Sequence, residues 1–226
     1  SGMGVRKINY LILLILMVAQ TWAGHGKIAT IQQVTGDVQL ITEEQARLPL
    51  RVINGRTVRN HDLLRSSVKS SCRMLFDDSR TYINVDAKTE LKFIESRGIR
   101  GIYLNYGSAY FNQAKGYTKP LKLYIDGNII TLTAGKFWLR SNRIGSSEIY
   151  VLSDSVSIAN NMTDEEHILY TGSKAKLSAS GISELTDDEI VQLPVYLSKY
   201  ESSINGDIKD DNFAEITFVE EFAQNL

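Results

Sequence analysis

From Ala29 to Ser178, apolar and polar residues alternate in short runs separated by polar or glycine-containing breaks. Ala29–Val34, Val38–Ile41, Cys72–Phe76, Thr81–Val85 and Leu91–Ile94 carry this two-residue period, which places one side chain in two on a buried face. It continues through Ile102–Asn105, Ala109–Asn112, Leu121–Ile125, Ile129–Leu132, Phe137–Leu139, Glu148–Leu152, Val156–Ala159, His167–Tyr170 and Ala175–Ser178. Asp126-Gly127-Asn128 between two such runs is a strong hairpin signal, because Asp and Gly tolerate the positive φ of a tight turn. No helix-length period of 3.6 interrupts the series. The pattern predicts an all-β domain of many short strands, either a sandwich or a twisted, solenoid-like stack. Both bury alternate residues, and the pattern alone does not choose between them.

The picture changes at both ends. Ser1-Gly2 read as a cloning remnant ahead of Met3. Arg6 and Lys7 then precede the apolar run Leu11–Ala19, and Thr21-Trp22-Ala23 supplies small residues at −3 and −1 of a cut before Gly24. This is the layout of a secretory signal peptide. The apolar run is well short of the roughly 20 residues that span a bilayer, so no stable membrane span is expected after cleavage near Ala23. A periplasmic or secreted location follows as an expectation. After Gly181 the composition turns acidic: residues 24–182 hold 21 Lys+Arg against 15 Asp+Glu, whereas residues 183–226 hold 2 against 11. Thr186 and Glu189 have the spacing of a capping box, and Pro194 limits any helix begun there. The expected organisation is a leader at 1–23, a β domain at 24–182 and an acidic C-terminal tail at 183–226.

The order of the motifs carries a resemblance. Gly36-Asp37-Val38, Leu50 through Asn54-Gly55, Asp62-Leu63-Leu64-Arg65-Ser66 and Ser71–Phe76 followed by Asp77-Asp78-Ser79 appear in sequence. Leu104–Phe111, Thr133–Leu139, Val151–Ser157 and Leu169-Tyr170-Thr171-Gly172 complete the series. Residues 36–180 thereby resemble the FecR domain, an extracytoplasmic module known from regulators of iron-uptake signalling. Asp78 and Asp154 stand where the family has glycine, and Ala134-Gly135 stand where it has Gly-Thr. Aspartate tolerates left-handed turns, so those turns are expected to persist. The resemblance implies the module's fold and its location outside the cytoplasm. With an export signal in front and an acidic tail behind, an envelope protein partner is expected rather than a cytoplasmic sigma factor.

Catalytic chemistry is sparsely represented. His25, His61 and His167 have no motif around them, Asp77-Asp78 read as turn-formers, and no nucleophile elbow, zinc-protease motif or phosphate loop occurs. No enzyme activity, metal or other cofactor is expected. The one cysteine, Cys72, alternates with Met74 and Phe76 and reads as a core thiol. Nucleic acid is not expected as a ligand, because the basic excess is small. Binding has better candidates. Lys136, Trp138 and Arg140 share the strand face opposite Phe137 and Leu139, with Arg143 nearby, so cations there flank an aromatic ring. The tail adds Phe213, Phe218 and Phe222 as spaced apolar contacts. Two readings follow: a protein-interaction or regulatory component of the bacterial envelope, docking through a sheet edge and the tail, or a module binding cell-wall or surface glycan through Trp138.

Overall fold

The computed structural model describes residues 26–43, 48–96, 98–116 and 120–185. The expected leader at 1–23, His25, the capping-box motif at Thr186, and Phe213, Phe218 and Phe222 lie outside these residues. The described chain is all-β. In order its strands are β1 Lys27–Thr35, β2 Val38–Ile41, β3 Leu50–Arg51, β4 Thr57–Arg59, β5 Leu63–Ser66, β6 Ser71–Phe76, β7 Thr81–Val85 and β8 Glu90–Ser96. They continue with β9 Ile99–Gln113, β10 Leu121–Ile125, β11 Asn128–Leu132, β12 Gly135–Ser141, β13 Ser146–Asn160, β14 Glu166–Tyr170, β15 Lys174–Ser178 and β16 Gly181–Leu185.

The strands form two sheets. The first runs β4-β1-β6-β7-β9-β12-β13-β15-β16. The second runs β3-β2-β5-β8-β9-β10-β11-β13-β14. All neighbours are antiparallel except β9 and β10. Two long strands belong to both sheets. Residues 99–106 of β9 pair in the second sheet, and residues 107–113 pair in the first. The N-terminal part of β13 pairs in the first sheet, and Ser155–Asn160 pair in the second. The buried apolar side chains of both sheets make one continuous core. The two sheets are joined through these shared strands around that one core, as an all-β fold of many short strands.

Each crossing has a local cause. Gly107 (φ 95) sits where β9 leaves the second sheet, and a Cβ there would land on the side chain and backbone of Thr89. β13 turns at Asp154 (φ 62), so the aspartate takes the left-handed conformation expected in place of glycine. At the β6–β7 turn the outcome differs: Ser79 (φ 55), not Asp78, is left-handed. Asp78 instead points inward and is held by donors. The hairpin at Asp126-Gly127 forms as the sequence suggests, with both residues at positive φ (47 and 79) and Ile125 opposite Asn128.

Two expected pairs of strands, at 102–112 and 148–159, prove to be single bent strands. β16, Gly181–Leu185, runs across the expected boundary between the β domain and the tail, so strand pairing continues past residue 182. In the core, Phe111 and Phe137 lie opposite each other on β9 and β12 and stack at 4.9 Å. Such a pair adds about 1 kcal/mol to its area burial. Cys72 is fully buried in the same core, as its spacing predicts, and burial pushes its thiol up to about 12.

Candidate interaction surfaces

β12 sets the outer face of the first sheet. Phe137 and Leu139 enter the core, so Lys136, Trp138 and Arg140 share the opposite face, as the strand period requires. Register then assembles a row that crosses six strands. Arg73 lies opposite Asn84, Asn84 opposite Tyr110, Tyr110 opposite Trp138, Trp138 opposite Tyr150, and Tyr150 opposite Lys174. None of the three central aromatics belongs to the core cluster, yet Trp138 is 1%, Tyr110 4% and Tyr150 7% exposed. The Trp138 indole N–H donates to Asp86 at 3.4 Å. Cations stand at both ends: the Arg73 guanidinium lies 4.5 Å from the Tyr82 ring centre, and the Lys174 ammonium lies 5.1 Å from that of Tyr150.

This placement corrects the glycan reading of Trp138. Stacking a sugar needs an open ring face, and this indole has almost no accessible area. Arg143 lies in the β12–β13 turn with its guanidinium 4.0 Å from the Tyr106 ring centre. Tyr110 and Tyr150 were not singled out beside Trp138 by sequence reasoning, because their adjacency comes from register between strands. The tyrosines of β9 divide among surfaces. Tyr103 stacks on Tyr124 at 4.7 Å outside the second sheet, Tyr106 lies beside Arg143, and Tyr110 joins the row.

Sheet edges are the second kind of surface. Of the four terminal strands, β3 has two residues and β4 three, too short to template a partner strand. On β16 the Ile182 backbone N–H donates to the Glu165 carboxylate at 3.1 Å. β14 is different. It has five residues, pairs only with β13 among the described strands, and leaves Ile168 56% and Tyr170 63% exposed, while Leu169 anchors it in the core.

A shallow cavity of about 610 Å³ lies between β2–β3 and β4, with Arg56 and Arg59 on its lining. Asp62 also lines it, but its carboxylate accepts from the Arg59 backbone N–H at 2.8 Å and so shapes the turn. Asp78 is engaged more heavily. It accepts from the backbone N–H groups of Arg80 (2.7 Å) and Thr81 (2.8 Å), from the Thr81 hydroxyl (2.8 Å) and from the Arg100 guanidinium (2.5 Å). Burial raises its pKa, but hydrogen bonds from Arg80, Arg100 and Thr81 outweigh burial and hold it below the ordinary aspartate range. The Arg100 side chain is 3% exposed and also lies 5.0 Å from the Phe76 ring centre, tying the β6–β7 turn to the start of β9. Glu90 repeats the balance. Burial raises its pKa, while Asn105 and Arg65 lower it further. His61, Asp77 and Asp78 do not line the cavity. Among the described residues no three His, Cys, Asp or Glu side chains gather as a metal cluster.

No family model matches the chain, and no curated protein matches it. Three chains of solved structures match. Two are crystal structures of a proposed anti-sigma factor from Parabacteroides distasonis ATCC 8503, at 15% and 14% sequence identity, both with a TM-score of 0.48. In each case the match covers 56% of this chain and 60% of the other, so this chain spans less than two thirds of the proteins it resembles.

Proposed function

We propose that this chain is a FecR-like, non-enzymatic module of the bacterial envelope that takes an extended segment of a protein partner onto the β14 edge. The supporting observation is β14 itself. A five-residue edge strand offers one side of its backbone for pairing, and Ile168 and Tyr170 stand beside that edge as apolar contacts for alternate side chains of an added strand. The other edges are very short or have a backbone donor already engaged. The envelope location rests on the signal-peptide pattern at 6–23 and on the motif order of residues 36–180.

The test places a photo-crosslinking residue at Thr171, beside the edge, in cells exporting the protein. Capture of one defined protein through an extended segment is expected. It should be lost in the Ile168→Lys/Tyr170→Lys variant, because charges on an edge strand block pairing. That variant must keep the parent melting temperature, as both positions are solvent-facing. Equal capture by the variant, or capture of cell-wall material alone, refutes the edge as the docking site.

A further inference from the structure

The end strand of the second sheet, β3, and the end strand of the first, β4, both contribute to the lining of the cavity described above. The chain passes from one sheet to the other here through the turn Ile53–Arg56, and backbone bonds fix that turn. The Gly55 N–H donates to the Ile31 carbonyl at 2.7 Å, the Ile31 N–H donates to the Arg56 carbonyl at 2.9 Å, and the Arg56 N–H donates to the Ile53 carbonyl at 3.1 Å. A Cβ built on Gly55 (φ 83) would meet no atom within 4 Å, so the turn faces open space. Charge is unbalanced on this lining. Neither Arg56 nor Arg59 forms an ion pair among the described residues, and Lys27, in register with Arg59, adds a third cation beside them. Asp62 lines the cavity too, but it is 3% exposed and is held by the Arg59 backbone N–H. Like charges on one lining repel, and an anion placed between them removes that cost. Leu40, Leu50 and Ile53 give the same cavity an apolar side, on which Ile53 is 64% exposed.

We propose that this cavity binds a small anionic amphiphile, its carboxylate or phosphate head held by Arg56 and Arg59 and its apolar stem laid against Leu40, Leu50 and Ile53. Guanidinium groups present paired N–H donors that match both head groups. The volume of about 610 Å³ lies within the roughly 300–1,000 Å³ of small-molecule sites. A turn already fixed by its bonds to β1 loses little freedom when the ligand enters, which favours binding. The site stands at the opposite end of the second sheet from β14, so it is separate from the edge proposed for a protein partner.

The test is a calorimetric titration of the full chain with decanoate, using decanol and inorganic phosphate as probes of the stem and the head alone. Decanoate is expected to saturate one site, and each half is expected to bind about tenfold or more weakly, the worth of a lost charge-assisted hydrogen bond or apolar contact. Arg56→Gln/Arg59→Gln should raise the decanoate Kd by about tenfold or more at an unchanged melting temperature. Ile53→Asp, a change at an exposed position, should weaken decanoate by repulsion while leaving the two arginines in place. No saturable decanoate binding, an unchanged Kd in both variants, or equal affinity for either half overturns the proposal. Adsorption to phosphatidylglycerol vesicles without binding of free decanoate assigns the cations to a lipid surface and overturns it as well. The titration needs no protein partner, so this proposal and the β14 reading fail separately.

Discussion

Removing the Asp78 carboxylate tests how the β6–β7 turn is tied to β9. Asp78→Ala deletes four hydrogen bonds at once and leaves the Arg100 guanidinium in the interior without its carboxylate. Both side chains are almost wholly buried, at 3% and 2% exposure, so solvent screening is weak. Breaking such a pair from one side costs about 3–5 kcal/mol, most of it from the stranded charge. For a domain of this size that is a fall of about 6–20 °C in melting temperature. Arg100→Met costs less, because Asp78 keeps the Arg80 and Thr81 donors. In Asp78→Ala/Arg100→Met the stranded charge is absent, so the double variant is expected to be more stable than the sum of the singles by about 2 kcal/mol. Urea unfolding at constant m-value measures all three.

The sign of the pH dependence follows from the same contacts. Asp78 has a folded pKa below its unfolded value, so its contribution is full above about pH 4 and is lost as pH falls through the folded pKa. Asp78→Ala should therefore flatten the acid limb of the stability curve. A cost under about 1 kcal/mol for Asp78→Ala, or strict additivity in the double variant, would show that the buried pair does not hold the turn.

Two further outcomes rest on geometry described above. Cys72, with its thiol pushed up to about 12 by burial, should be inert to a disulfide reagent at pH 8 in the native protein and react fully once unfolded. Rapid native labelling would mean the core opens at β6. Gly107→Ala should cost more than about 2 kcal/mol in urea unfolding, because a left-handed residue there also meets Thr89. A cost well below that would show that the β9 pivot yields easily.

Much of the fold was legible because its signals are local. The period of two at Cys72–Phe76 or Leu121–Ile125 reports which residues face the core, and Asp126-Gly127 reports a tight turn, with no knowledge of distant strands. The single strands β9 and β13 were read as two each because the residues that bend them, Gly107 and Asp154, are also the residues that end strands. Gly181–Leu185 offers little alternation besides Ile182, so β16 was hidden by the acidic composition that follows. The face carrying Lys136, Trp138 and Arg140 was readable from β12 alone. Its burial was not, since the row from Arg73 to Lys174 exists only through the register of six strands separated by up to a hundred residues.

The order of the strands also has a consequence for how the molecule comes into being. From β3 onward every strand pairs with at least one strand that precedes it in the chain, and both layers extend in the same direction as the sequence. A chain appearing N-terminus first never has to wait for its far end to find a neighbour. Each hairpin lands on a template already laid down, loop-closure costs stay small, and the growing edge is occupied by the next segment shortly after it forms. The architecture assembles by accretion: among the described strands the early edges are the very short β3 and β4, and β14 and β16 are the edges laid down last in each sheet.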